Sequence, residues 1–176
     1  MTEAEVIIRL AVYFITNGLT KENVKVSIDG AHVKTGNTVH CDIFRLLNDV
    51  GLVINNREFK RWQGEYSLVG YDSNIIISST PGIGDVNIKC LDGSIILAEC
   101  KKGKNNKRGQ EYPLMREAIG QLMTGCNLDD GVIPMVAVPY TDKSKELAER
   151  WSELMQIKNL GIKFALIQDN GEVEII

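Results

Sequence analysis

The 176-residue chain lacks the residue patterns that build zinc fingers. Its four cysteines, Cys41, Cys90, Cys100 and Cys126, form no C-x-x-C pair, and it has only two histidines. The spacing of His32 and His40 with their neighbours fits no zinc-binding pattern, so a zinc ribbon or finger is not expected. Cysteines that are small, buried and reduced are typical of a cytoplasmic protein, and we expect that location.

Long apolar runs are also missing. No segment approaches the roughly 18 apolar residues of a membrane-spanning helix, so no membrane partner is expected. The first residues, Thr2 to Glu5, include no basic region, so a signal peptide is not expected. The net charge of −3 and pI of about 5.5 disfavour a protein that coats nucleic acid. Local binding patches remain compatible with this charge.

The remaining composition, 44% hydrophobic and 24% charged, is that of a folded globular domain. The pattern predicts one α/β domain over 1–176, with a central mixed sheet flanked by helices. An inserted element at 36–70 would serve recognition or dimerisation. Helices are predicted over 2–16, 38–50, 113–126 and 141–157, a short helix or a loop over 57–62, and strands over 24–28, 66–69, 75–79, 132–138, 163–167 and 173–176.

The most informative segment runs from Asp85 to Lys101. An apolar-alternating strand follows Asp85, a Leu-Asp-Gly-Ser turn follows that strand, and a second strand ends in Glu99-Cys100-Lys101. Two hard carboxylate groups can hold Mg²⁺, and a lysine beside them can stabilise negative charge in a reacting phosphate. The segment therefore supplies the groups needed for metal-assisted phosphodiester cleavage.

The parity of the two strands turns this idea into a geometric requirement. Side chains two apart on a strand leave the same face, so Glu99 and Lys101 share a face. A two-residue turn would pair Asp85 with Cys100 and place the aspartate on the opposite face. A three-residue loop or a bulge would instead pair Asp85 with Lys101. We therefore expect a bulge or a longer turn in this hairpin.

These residues resemble the PD-(D/E)xK nuclease superfamily, which has the restriction-endonuclease-like fold. Glu99-Cys100-Lys101 matches the E-x-K half-motif, and the segment ending in Gly84-Asp85 matches the first half loosely, because Pro81 does not directly precede the aspartate. The succession of strand, turn, apolar strand, basic loop, helix and strand is similar as well. The resemblance covers about residues 70–140.

The resemblance implies a set of roles. Asp85, Glu99 and the backbone carbonyl of Cys100 would hold Mg²⁺, for which Mn²⁺ can substitute. Lys101 would orient or activate the attacking water, and Gln121 would face the site from the following helix. Holliday-junction resolvases, restriction-like enzymes and repair nucleases all fit, and a homodimer is expected because many such enzymes cut two strands.

A further carboxylate from the first core helix is common in the family. Glu3 is the first choice because it shares a helix face with buried apolar positions, and Glu5 is the second. Both are also explained by the preference of acidic residues for a helix N-terminus. The helix predicted over 38–50 could instead be the first core helix, with Asp42 as its acid.

Two basic segments are candidates for contacts with nucleic acid. One follows the E-x-K motif directly, and the other surrounds a tryptophan that could stack on a base. Each is equally explained as a solvated loop. The residues are Lys102, Lys104, Lys107 and Arg108 in the first segment, and Arg57, Lys60, Arg61 and Trp62 in the second.

The sequence thus predicts a divalent-metal-dependent nuclease, with a DNA endonuclease as the leading activity and RNA not excluded as substrate. The alternative is a non-catalytic nucleic-acid-binding or assembly module on the same fold. The acidic pI favours this alternative, whereas the intact set of Asp85, Glu99 and Lys101 favours the enzyme.

Overall fold

A computed structural model describes residues 1–57, 62–80, 82, 84–103, 109–125, 127–129 and 131–176, with only the backbone of Asn56 and Arg57. The helices are α1 (Glu3–Thr16), α2 (Gly30–Val33), α3 (Ile43–Asp49), α4 (Glu111–Gly125), α5 (Asp142–Ser152) and α6 (Met155–Leu160). The strands are β1 (Val24–Ser27), β2 (Lys34–Thr35), β3 (Thr38–Val39), β4 (Leu52–Arg57), β5 (Gly64–Leu68), β6 (Asn74–Ser78), β7 (Val86–Lys89), β8 (Ile95–Cys100), β9 (Val132–Pro139), β10 (Lys163–Ile167) and β11 (Val173–Ile175).

Nine of the strands form one mixed sheet in the order β11-β10-β9-β8-β7-β1-β6-β5-β4. Strand β9 runs parallel to both β8 and β10, and β1 runs parallel to β6. Strand β8 pairs antiparallel with β7, and β7 pairs antiparallel with β1. The α/β architecture with a large mixed sheet is therefore confirmed.

Helix α1 covers one face of the sheet. Thr2 and Glu5 form a capping box that starts the helix. Apolar side chains then occupy most of its circumference, as expected for a helix buried against a sheet. It packs against alternate residues of the central strands, including Ile96, Ala98 and Cys100 of β8. All three side chains are buried in the core.

The opposite face carries α4 and α5. Their buried residues pack with Val136 and Val138 of β9, whereas Met135 and Ala137 point to the α1 side. This alternation follows from the period of two along a strand, and it fixes which layer each side chain of β8 and β9 meets. Residues on the Glu99 parity of β8 therefore face the α4 layer.

Several predicted boundaries are wrong. The helix predicted over 38–50 starts only at Ile43, because Asp42 caps it there and the β-branched Thr38 and Val39 pair with β2 instead. The segment 36–70 also contributes β4 and β5, which extend the sheet at one edge. Strand β4 and helix α2 were not predicted.

The helix predicted over 141–157 is two helices, separated by Leu154 in an extended conformation. Trp151 and Ile157 are both buried. At about 100° per residue a continuous helix would place them on different sides, and the break returns Ile157 to the core. Within the described ranges, each helix is too short or too polar to cross a lipid bilayer.

Candidate active site

The turn of the β7–β8 hairpin decides where Asp85 points. Cys90 and Ser94 pair through the Cys90 N–H and the Ser94 carbonyl at 2.8 Å, which leaves Leu91, Asp92 and Gly93 as a three-residue loop. Gly93 has a φ of +88°, the left-handed conformation that this loop type requires. The expectation of a loop longer than two residues is confirmed.

The register that follows from this loop differs in one respect from the expectation. Val86 pairs with Ala98 and Ile88 with Ile96, so Asp85 falls beside Glu99 rather than opposite Lys101. The side-chain carboxyl groups of Asp85 and Glu99 lie within hydrogen-bonding reach of each other. Both residues therefore point to the same side of the hairpin, as a shared metal site requires.

Asp85 is held in place by three hydrogen bonds. Its N–H donates to the Ala98 carbonyl at 2.8 Å, and its own carbonyl accepts from the Ser27 N–H at 2.8 Å. Its Oδ2 accepts from the N–H of Cys100 at 2.8 Å. The carboxylate is therefore anchored to the strand that carries Glu99.

Gly84 makes this anchoring possible. It has a φ of +73°, and a Cβ at this position would lie 3.1 Å from the Ala98 carbonyl oxygen. A side chain would thus meet the backbone of β8 as well as the strain of a left-handed conformation. The glycine lets the chain approach β8 closely enough for Asp85 to bond to it.

Lys101 is almost fully enclosed, with 7% of its side chain exposed. Its N–H extends the ladder to β9 by donating to the Ala137 carbonyl at 2.9 Å. Its ammonium lies 3.3 Å from the carboxylate of Glu117 on α4. A buried ammonium requires a partner, and α4 supplies one here. Gln121 lies one helical turn after Glu117 and is exposed.

Negative charge is crowded at this end of the sheet. Burial raises the pKa of Glu99 to about 7, with the neighbouring Asp85 as the second cause. Burial also raises the pKa of Asp85, although the Cys100 N–H and Lys101 partly counter it. Proximity and burial disfavour two charged carboxylates unless a cation lies between them. The donor set, two hard carboxylates in a partly buried position, therefore fits a divalent ion.

Glu3 approaches the same site from the first turn of α1. Burial raises its pKa, while His32 and Lys101 act in the opposite direction. His32, on α2, places its Nδ1 2.6 Å from Glu3 Oε1. Because this contact occupies the carboxylate, a direct role for Glu3 at a metal stays a prediction. Among the described residues, no three His, Cys, Asp or Glu side chains form a group that could hold an ion.

The other two acids considered for this role cap helices. The Glu5 carboxylate accepts from the Thr2 N–H in the α1 capping box. Asp42 Oδ1 accepts from the Arg45 N–H at 3.1 Å and starts α3. Helix α1 contacts the central strands of the sheet whereas α3 contacts β4, so the position of α1 agrees better with that of a first core helix.

The basic residues are only partly described. Lys102 is exposed beside the site and lines two clefts. Trp62 is half-buried and packs against the core on the α1 side, and its carbonyl accepts from the Tyr66 hydroxyl at 2.8 Å. The remaining predictions lie outside the described residues or side chains, namely Lys104, Lys107, Arg108, Arg57, Lys60 and Arg61.

Two residues of this site were missed by sequence reasoning. Glu117 shares a helix face with the predicted Gln121, so its position one turn earlier was a usable signal. The other is His32, and nothing local in the sequence indicates its contact with Glu3. Only the packing of α2 beside the start of α1 brings the two together.

The chain was compared with protein-family models, with curated proteins and with solved structures, and none of the three comparisons gives a match.

Proposed function

We propose that this chain is a divalent-metal-dependent nuclease that hydrolyses phosphodiester bonds, acting as a DNA endonuclease with the restriction-endonuclease-like fold. One observation carries the proposal: the β7–β8 register places Asp85 beside Glu99 on one side of a hairpin whose next residue of that parity is the buried Lys101. The three-residue loop that achieves this is of odd length, as the parity of the strands requires for a shared metal site.

In this proposal Asp85, Glu99 and the backbone carbonyl of Cys100 hold Mg²⁺ or Mn²⁺. Such an ion polarises a phosphate oxygen and lowers the pKa of a bound water. The donor set supports this assignment. Its two carboxylates lie close together and are partly buried, and the Cys100 N–H fixes the Asp85 carboxylate at 2.8 Å. Glu3 would support the site from α1.

Lys101 would orient the attacking water and donate to the phosphate oxygens as negative charge develops on them. Its ammonium is held by Glu117 at 3.3 Å within a nearly closed environment, where electrostatic interactions are stronger than in water. Gln121, on the same side of α4, would contact the phosphate backbone. Lys102 and the basic residues that follow would attract the flanking phosphates.

DNA is the proposed substrate, and RNA is its competitor. The proposal includes a homodimer, because paired sites can cut both strands of a duplex. It also includes an intracellular location, because the described cysteines are free. Sedimentation velocity on the purified chain tests the dimer, and a monomer at every concentration would contradict it.

Cleavage assays test the activity. Supercoiled, linear and branched DNA and a single-stranded RNA should be incubated with Mg²⁺ or Mn²⁺ and with EDTA. We expect metal-dependent cleavage of DNA that is lost in Lys101→Ala and kept in Lys163→Ala, an exposed strand lysine remote from the site. Absence of cleavage on every substrate, or a Lys101→Ala variant as active as the parent, would contradict the proposal.

A non-catalytic nucleic-acid-binding or assembly module is the second candidate. The net charge of −3 favours the assembly role within this candidate, since binding to nucleic acid gains affinity from cations. This candidate predicts that DNA binds equally well with and without Mg²⁺ and stays intact. The cleavage series therefore separates the two candidates directly.

A further inference from the structure

The proposed cleavage site leaves a second feature unexplained, a cleft of about 650 Å³. It lies beyond the carboxyl ends of the parallel strands β8, β9 and β10, where open α/β sheets commonly bind ligands. We call it the carboxyl-edge cleft. Its residues follow β8, start α4, follow β9 and form the β10–β11 turn, and they include Lys102, Gln110, Leu114, Pro139, Tyr140 and Gln168.

The lining of the carboxyl-edge cleft combines apolar walls with a hydrogen-bonding rim. Leu114, Val138 and Pro139 supply apolar surface, and Tyr140 supplies a ring. Gln110 and Gln168 present side-chain amides that make no hydrogen bond within the described part of the chain. Amide groups both donate and accept, so they match the edge of a flat heterocycle whose faces are apolar.

The charges of the cleft balance, so it suits a neutral ligand that has N–H donors. Glu111 and Asp169 line it together with Lys102 and with Met1, whose main-chain amine is a second cation. Glu111 Oε1 lies 3.4 Å from the Thr141 hydroxyl, and its buried Oε2 has no partner among the described residues. A phosphate placed here would meet two carboxylates, whereas the amino and imino groups of a nucleobase would not be repelled.

The wall of the cleft begins at the residue that follows Lys101 of the proposed cleavage site. Lys102 and Gly103 form part of its wall and directly follow Lys101. The N–H of Gly103 donates to the Met1 carbonyl at 3.0 Å, which fixes this wall against the start of the chain. A strand whose phosphate lies at Asp85 and Glu99 therefore has its neighbouring base within reach of the cleft.

We propose that the carboxyl-edge cleft binds one unpaired nucleobase next to the scissile phosphate. The inference rests on the proposed nuclease function and narrows its substrate class to nucleic acid with unpaired nucleotides at the cut, such as branches, flaps or single strands. A paired base cannot enter the cleft, because its partner occupies its Watson–Crick edge and its faces are stacked on the neighbouring base pairs.

Binding measurements coupled to abasic substitutions test the proposal. The Asp85→Asn protein, without added metal, is titrated with a fluorescent single-stranded deoxyoligonucleotide in which each position in turn is made abasic. We expect one position at which loss of the base weakens binding by roughly ten- to hundredfold, as for a base bound by stacking. The same position should have no effect in a protein that also carries Gln110→Ala and Gln168→Ala.

Gln156→Ala is the matched control, because Gln156 is an exposed glutamine on α6 outside the cleft. It should keep the abasic effect in full, and thermal melting should show that all variants fold. Equal effects at all positions, an effect that persists in the double glutamine variant, or no oligonucleotide binding would each overturn the proposal. Cleavage is measured separately. Cleavage without a position-specific abasic effect would overturn the cleft proposal alone, and a position-specific abasic effect without cleavage would overturn only the nuclease proposal.

Discussion

Two hairpins of this protein have the same turn and different strand ends. In β7–β8 the loop is Leu91-Asp92-Gly93, and in β10–β11 it is Asp169-Asn170-Gly171. Each ends in a glycine with positive φ, +88° and +91°. In each, the middle side chain accepts from the second N–H that follows, Asp92 from Ser94 at 2.9 Å and Asn170 from Glu172 at 3.0 Å.

The open ends of the hairpins differ. The β7–β8 hairpin ends in Asp85, Glu99 and Lys101 inside the sheet, where neighbouring strands limit solvent on both sides. The β10–β11 hairpin ends in Phe164 and Ile176, which pair by backbone hydrogen bonds of 2.9 and 3.0 Å at the sheet edge. The common turn determines in both hairpins which side chains share a face. Only in β7–β8 does the open end carry carboxylate and ammonium groups that form a candidate site.

The largest expected effect comes from breaking the parity of β7–β8. Deleting Asn87 from β7 keeps the turn but moves Asp85 opposite Ala98, on the other face of the hairpin from Glu99. We expect metal-dependent cleavage to fall to background and stability to fall as well. Asn87→Ala keeps the register and should keep the cleavage rate. A deletion variant that cleaves like the parent would show that the register is irrelevant to activity.

The second-largest expected effect is on kcat, and it is tested by replacing one lysine in each hairpin. Lys101→Ala should lower kcat by about 10²- to 10³-fold, the usual loss when one preorganised donor to a charged transition state is removed. Lys163→Ala, at the start of β10, should leave kcat unchanged. Steady-state cleavage rates with saturating DNA measure both, and equal rates would remove Lys101 from the mechanism.

Gly84 permits a third comparison, at the entrance of β7. Gly84→Ala should lower the free energy of unfolding by about 2–3 kcal/mol, because strain adds to contact with the Ala98 carbonyl. Gly18 has a similar φ of +64° with nothing within 4 Å of a Cβ, and Gly18→Ala should cost only about 1 kcal/mol. Urea denaturation distinguishes the two values. Equal costs would mean that the close approach at Gly84 is unimportant.

The smallest effect concerns the partner of Lys101. Glu117 is half exposed, and exposed ion pairs contribute at most about 1 kcal/mol, so Glu117→Gln should lower kcat by about two- to fivefold. KM should not change, since Glu117 acts through Lys101. Glu149→Gln on α5 is the control. An unchanged or raised kcat in Glu117→Gln would show that the pair does not position Lys101.

Local patterns predict those parts of the fold whose signals are local. The capping box and apolar surface of α1 indicate the helix. The alternation of apolar and polar residues in β7 and β8 indicates both strands, and it also indicates that a loop with an odd number of residues must join them. The Asp-Gly and Asn-Gly pairs indicate turns, although each belongs to a three-residue loop whose first residue the dipeptide does not reveal.

The rest depends on contacts between distant segments. The break at Leu154 exists because Ile157 must return to the core, and β4 forms because β5 pairs with it. His32 reaches Glu3 only through the position of α2. The carboxyl-edge cleft combines the ends of three strands, so no single stretch of sequence contains it.

Metal binding at Asp85 and Glu99 tests the account most directly. Crystals of the protein soaked in Mn²⁺ should show an anomalous difference peak that contacts the carboxylates of both residues and is absent in Asp85→Asn crystals. No peak at this position in the parent protein, or a peak that persists in Asp85→Asn, would contradict the proposed site.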